Sequence, residues 1–237
     1  MNSPKDNTEQ EQLFLQQYNS SIYEKPSVAV DLLIFSIENS KLKVLLVKRA
    51  EYPFQDCFAL PGVFVKLEES VEEAAKRALF EETTVKDVYL EQLYTFGDVN
   101  RDPRMRVISI AYMVLVPQGR ICPAIGKRVS EIRWFSVSEI KKEILAFDHT
   151  AIIQCAIERI KNKAEYTPII FQLMPREFTL SELQRAYETV LERSLYKANF
   201  RKKILPMVLE TGNISSGVSH RPSKYYQYNE DYQVERL

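Results

Sequence analysis

Apolar and β-branched residues gather into two runs near the start of the chain, "SVAVDLLIFSI" and "LKVLLVKRA", separated by the polar stretch "ENSK". Runs of this length bounded by turn residues predict two strands joined as a hairpin. "CFALPGVFVK" continues as a third strand, interrupted at Pro61 and Gly62. The period then changes. "SVEEAAKRALFEE" predicts a helix opened by Ser70, with Glu73 three residues on to complete a reciprocal cap. "VKDVYLEQLYTFGDV" and "RVISIAYMVLV" return to strand, split by the charged turn "NRDPRM", and "EIRWFSV" adds another. Ser136 with Glu139 predicts a capped short helix after it. In "DHTAIIQCAIERIKNKAEY", Ile152, Ile153, Ala156, Ile157 and Ile160 fall on one helical stripe. Strands mixed with a few helices give an α+β domain over residues 26–166. Before it lies a polar segment, 1–25, whose short helix "TEQEQLFLQQYN" would dock Leu13, Phe14 and Tyr18 on the body.

A different pattern fills residues 167–237. "TPIIFQLMP" leads into Phe178, Thr179, Glu182 and Leu183, a hydrophobic staple around a capping box, so a helix starts at Thr179. Leu180, Leu183, Tyr187, Val190 and Leu191 line its buried face. After the break "RSLYK", the helix "ANFRKKIL" turns Phe200 and Ile204 inward and stops at Pro206. "MVLE", "TGNISSGVSHRPS" and "KYYQYN" read as strand, loop and strand. Two helices across a tight turn, followed by a hairpin, predict a winged helix-turn-helix.

The chain has 237 residues, 45% hydrophobic and 27% charged, as expected of a globular protein with one large or two modest domains. No apolar run reaches membrane-spanning length and the N-terminus lacks the pattern of a signal peptide, so the expectation is a cytoplasmic protein with no membrane partner. Cys57, Cys122 and Cys155 are odd in number and far apart, which argues for buried thiols and against a disulfide framework or zinc knuckle. The net charge is zero, yet nine Lys or Arg face five Glu between Met174 and Tyr225, leaving 23 basic and 27 acidic residues elsewhere. Either the tail meets an anionic partner or the charge is an uneven solvated surface.

The stretch "LPGVFVKLEESVEEAAKRALFEETTV" resembles the signature box of Nudix hydrolases, which use divalent metal to cut nucleoside diphosphates linked to another group. Glu69, Arg77, Leu79, Glu81, Glu82 and Val85 match the family pattern; Val63, Ala78 and Thr84 depart from it. Positions 78, 81 and 82 share a helical face, where three carboxylates could hold Mg²⁺ against a pyrophosphate. Ala78 removes one of them. Glu81 and Glu82 remain as weak metal candidates, and Mg²⁺ is possible if hydrolysis survives, though none is required for sensing. Losing one preorganised electrostatic contact commonly costs roughly 10²- to 10³-fold in rate. Thr84, where a glycine would take a left-handed turn, and Val63, where a loop glycine belongs, suggest a relaxed loop geometry. The plain alternative for these glutamates is a solvated face, with Arg77 paired to Glu81 four residues on.

On the helix "ANFRKKIL", Ala198, Arg201 and Lys202 lie opposite Phe200, with Asn199 and Lys203 flanking. Arg and Lys can bond guanine, Asn can pair with adenine, and a small Ala allows close approach to a major groove. His220, Arg221 and Lys224 in the wing could reach phosphate or the minor groove. A basic solvated helix is the alternative. As a whole, this pairing of domains resembles the Nudix-related transcriptional regulators of bacteria. The resemblance implies a Nudix-like α/β/α sandwich that senses ADP-ribose or a sugar such as arabinose, and a dimer that binds double-stranded operator DNA. It assigns Lys197, Asn199, Arg201, Lys202 and Lys203 to the recognition helix. In "GDVNRDPRMRVISIAY", Asp98, Arg101, Asp102, Arg104 and Arg106, joined by Arg49, could meet a phosphate or sugar hydroxyl. A charged turn held by internal pairs explains the same cluster equally well. The competing function is an active hydrolase of ADP-ribose or a nucleotide sugar, carrying a basic accessory domain.

Overall fold

The computed structural model describes residues 9–85, 88–121, 129–214 and 222–232. Helix α1 (Glu9–Gln17) comes first, then strands β1 (Ser27–Glu38) and β2 (Lys41–Arg49), with Asn39 and Ser40 both left-handed in the tight turn between them. Strands β3 (Phe58–Ala59) and β4 (Gly62–Phe64) flank Pro61 as expected, and helix α2 (Val71–Thr83) follows behind the reciprocal Ser70–Glu73 cap. Strands β5 (Tyr89–Phe96), β6 (Val107–Leu115) and β7 (Val129–Ser136) complete the seven-stranded sheet, and helix α3 (His149–Tyr166) crosses it.

β1 is the centre of this sheet. It pairs parallel with β6 from Ser27–Val107 to Phe35–Leu115 and antiparallel with β2 and β4. Because side chains alternate, Val30, Leu32 and Ile34 point to α2 and its Ala74, Ala75, Ala78 and Leu79, while Leu33 and Phe35 face α3 and its isoleucine stripe. Covering on both faces explains why β1 reads as a continuous apolar run.

The second half begins with a 3₁₀ turn (Ile169–Leu173). It continues with strand β8 (Phe178–Thr179), helices α4 (Leu180–Leu191) and α5 (Lys197–Ile204), and strands β9 (Val208–Ile214) and β10 (Lys224–Tyr228). Thr179 and Glu182 form the expected capping box, Leu180, Leu183, Tyr187 and Val190 are buried, and Ala186 joins them. β8 pairs with β10, giving a three-stranded wing sheet in the order β8-β10-β9. This two-residue strand was invisible in the sequence, where it lay inside the staple.

One apolar cluster runs through both halves. It contains Leu33, Phe35 and Met113 of the sheet, the α3 stripe, and Phe178, Leu183, Tyr187, Phe200 and Ile204 of the winged helix. Each such side chain fully removed from water contributes about 1.5–3 kcal/mol, so the two halves are cemented rather than tethered.

Several expectations are corrected. Leu13, Phe14 and Tyr18 are 54%, 61% and 47% exposed, so α1 does not dock them on its own chain; Phe14, Tyr18 and Tyr23 pack on one another instead. The short turn after β7 (Ile140–Lys142) is capped by Glu139 without a side-chain bond, because Ser136 Oγ pairs with Ser138 Oγ. Cys57 and Cys155 are half-buried, not buried, and Cys122 lies outside the described residues. β9 runs on to Ile214, into what read as loop.

Candidate functional site

A cleft of about 550 Å³ opens between the ends of β1–β4, the box helix α2 and the loops before β6 and α3. Its volume lies within the range of small-molecule sites. Arg77 anchors its α2 wall. The guanidinium donates to both oxygens of Glu69, at 2.9 and 2.6 Å, and to the Phe64 carbonyl at 3.1 Å, but reaches Glu81 only at 3.5 Å. The i, i+4 pairing is therefore secondary, and Arg77 instead ties the box loop to the helix. Hydrogen bonds from Arg77 and from the Lys66 amide hold the Glu69 carboxyl down to about 2.

Thr84 ends α2 with φ 56°, so the left-handed turn expected of a glycine is kept by a β-branched residue. The expected relaxation of this turn does not occur. Gly62, next to Val63, supplies the close approach the loop requires: a Cβ there would stand 2.6 Å from Asp31 Oδ1 and 2.7 Å from the Val30 carbonyl. Ala78 is fully buried among apolar side chains. Glu81 and Glu82 both line the cleft. Burial, with Glu81 alongside, pushes the Glu82 carboxyl up, and its Oε2 is buried without a hydrogen-bond partner.

With Glu69 taken by Arg77 and position 78 apolar, the box offers two carboxylates. Among the described residues, no three His, Cys, Asp or Glu converge to hold a metal ion. Glu81 and Glu82 are the box residues that would hold a Mg²⁺ ion, which takes its remaining oxygens from water and from substrate phosphate.

The opposite wall is cationic and aromatic. Arg49, Arg101, Asp102 and Arg104 line the cleft, whereas Asp98 and Arg106 do not: Asp98 caps the Asn100 amide, and Arg106 donates to the Asp98 carbonyl at 2.9 Å. Arg101 is 9% exposed, grips Asp148 at 2.7 and 2.9 Å and reaches Asp31 at 3.4 Å. Arg104 bonds Asp102 through two nitrogens, at 3.0 and 2.7 Å, which holds the Asp102 carboxyl below its usual range. Much of this turn is thus held by internal pairs. Arg49 donates to the carbonyls of Pro53 and Glu51 and stands 5.1 Å from the Phe147 ring centre. The Arg104 guanidinium stands 5.9 Å from the ring centre of Phe64 and 5.8 Å from that of Phe147.

Sequence reasoning missed three residues here. Asp31, 7% exposed, receives the Ser109 hydroxyl and the long Arg101 contact. Its signal was a lone charge inside the apolar run of β1. His149, buried at the start of α3, accepts the Leu60 amide at Nδ1 over 2.8 Å, and burial lowers its affinity for a proton. Phe147 adopts φ 54°, a strained conformation that its sequence does not announce.

On the winged helix, Lys197, Ala198, Asn199, Arg201, Lys202 and Lys203 of α5 are all exposed while Phe200 and Ile204 are buried, so the two faces divide as expected. Lys203 is partly committed: Nζ donates to the Glu165 carbonyl at 3.0 Å. Lys224 pairs with Glu210 at 2.9 Å, and Arg221 and His220 lie outside the described residues.

A cleft built on a degenerate hydrolase box, joined through one core to a helix-turn-helix with a wing, defines a Nudix-like sandwich followed by a winged helix. The NUDIX domain model matches residues 26–154, and that of the NrtR DNA-binding winged helix domain matches residues 170–228. The chain belongs to the Nudix family, in the branch that carries this winged helix. It is 36% identical over 225 residues to the ADPR responsive transcriptional repressor NtrR of Acinetobacter baylyi, covering 94% of this chain and 90% of that one. It superposes on Shewanella oneidensis NrtR complexed with a 27mer DNA with a TM-score of 0.77 at 31% identity, over 85% of this chain and 93% of that one. The ADP-ribose pyrophosphatase of Methanocaldococcus jannaschii is 40% identical over 133 residues, 56% of this chain and 74% of that protein. No helix among the described residues is long and apolar enough to cross a membrane.

Proposed function

We propose that this protein is a transcriptional regulator that binds operator DNA through α5 and the wing and responds to ADP-ribose held in the Nudix cleft. It works in the cytoplasm as a homodimer whose symmetry matches paired half-sites. The observation that carries this reading is the pairing of an incomplete metal box with an exposed basic recognition face in one chain. The repressor of Acinetobacter baylyi, alike over nearly its whole length, supports both halves.

The chemistry of the cleft favours ADP-ribose over a neutral sugar. Among the described residues the Arg49 guanidinium donates to carbonyls and keeps its charge available for a diphosphate, while the exposed ring of Phe64 offers an apolar face to a base. Sensing requires no metal. To change DNA affinity 100-fold, the ligand must favour one state over the other by about 2.7 kcal/mol. A gel shift on the gene's upstream DNA, with ADP-ribose and with arabinose, tests the proposal; absence of salt-sensitive, sequence-selective binding would refute it.

The identity to an archaeal ADP-ribose pyrophosphatase favours one second reading, an active hydrolase with an accessory domain. Incubation with ADP-ribose and Mg²⁺ or Mn²⁺ decides it. Turnover abolished by Glu82→Gln would replace the sensor-only account.

A further inference from the structure

Helix α3 has 18 residues, hence a length of about 27 Å. Its two ends belong to different sites. At its N-terminal end, Phe147 and His149 line the cleft, and Asp148 is held by the pocket residue Arg101 through two hydrogen bonds. Phe147 is held in a left-handed conformation by its surroundings, with Phe54 packed edge-on at 4.8 Å and Arg49 and Arg104 over its ring. Phe54 and Asp56 on the facing loop are left-handed as well, so strained backbone from two segments meets at the mouth of the cleft.

At the other end, the Glu165 carbonyl accepts Lys203 Nζ of the recognition helix, and the Glu165 carboxylate accepts Arg193 at 2.6 Å. One turn back, Lys161 pairs with Glu192 at 2.6 Å. Arg193 and Glu192 lie in the turn between α4 and α5, and Glu192 is left-handed there. The C-terminal turn of α3 therefore grips both the entry to the recognition helix and its last turn. Between the ends, the isoleucine stripe is packed into the core shared with α4 and α5, and close-packed interiors transmit shifts instead of absorbing them.

We propose that α3 couples the cleft to the recognition helix as a rigid rod, with Glu165 and Arg193 as positioning residues for DNA reading. The proposal rests on the sensor reading above and adds the route of its regulation. Ligand contact at Phe147 and Arg101 changes the seat of the N-terminal end of α3, and Glu165 carries that change to α5.

The test measures the factor by which ADP-ribose changes DNA affinity in the full-length protein. Gln154 and Glu158 are exposed mid-helix and bond only to each other. Replacing both with Gly softens the rod without touching either site, and the double Ala variant is the control. A second variant, Lys161→Ala with Arg193→Ala, opens the clamp at the surface, and Arg193→Lys tests rescue. In the Gly variant and the clamp variant, the ligand-induced factor should fall at least fivefold. Affinity for ADP-ribose alone should stay within threefold of wild type, and the Ala control and Arg193→Lys should keep most of the factor. An unchanged factor in the clamp variant overturns the proposal, even if the Gly variant fails to fold. If the wild-type protein shows no response to ADP-ribose at all, the sensor reading itself fails, which is a separate outcome.

Discussion

Arg77 donates to both carboxylate oxygens of Glu69 and keeps only a 3.5 Å contact with Glu81. The strongest surviving interaction of the box is thus a brace between loop and helix. That brace shapes a binding wall whether or not the adjoining carboxylates hold metal.

The brace should be visible in a titration. Glu69 should protonate near 2, and Arg77→Ala should return it toward the ordinary carboxylate range near 4.5. Because its folded value is depressed, the stabilisation is complete above about 4.5 and is lost as pH falls through about 2. Carbon-detected NMR of the side-chain carboxyls measures this directly.

Glu82 should behave in the opposite sense. Its carboxyl is raised by burial and by Glu81, so its contribution weakens the fold as pH rises through the carboxylate range. Glu82→Gln should raise the melting midpoint at pH 7, with the gain shrinking toward pH 4. An equal gain at both pH values would contradict the assigned cause.

At the cleft, Arg104→Ala removes a cation near two rings and deprives Asp102 of its hydrogen-bonded ion-pair partner. ADP-ribose affinity measured by calorimetry should fall about 10- to 100-fold, equivalent to roughly 1.5–3 kcal/mol for charged hydrogen bonds. DNA affinity without ligand should be unchanged.

On the recognition helix, Arg201→Ala and Lys202→Ala should each weaken DNA binding by about 1–3 kcal/mol if they read bases, or flatten the salt dependence by about one unit if they bind phosphate. Lys224→Ala should change affinity less than threefold, because Glu210 already holds that ammonium. Fluorescence anisotropy across a salt series separates these cases.

Gly62→Ala is the structural control. The added methyl group would meet backbone at 2.7 Å and a buried carboxylate at 2.6 Å. It should cost about 1–3 kcal/mol in chemical denaturation, as expected for forced overpacking.

Much of the fold was legible because local chemistry and global packing agree. Ser70 with Glu73 and Thr179 with Glu182 announced two helix starts, and the isoleucines of α3 gave its buried face. Asn39 and Ser40 marked the hairpin. The pocket was harder. Arg49, Arg101, Asp102 and Arg104 were found by type, but Asp98 and Arg106 share their composition and fold outward. Only tertiary geometry separates them. Asp31 and His149 are brought together from 118 positions apart, so no local window could pair them. Lys203 read as a DNA contact because its helical angle is exposed; its tie to Glu165 depends on how two halves of the chain meet.

The apolar cluster running from Leu33 to Ile204 has a practical meaning for anyone dissecting the molecule. A fragment cut near residue 166 would carry Phe171, Phe178 and Leu183 away from the sheet they cover and leave a wet, sticky face on both pieces. The winged helix is therefore not a cassette to be transplanted. Its orientation is inherited from the sheet it packs against, so a change in the fit of that sheet is a change in its aim.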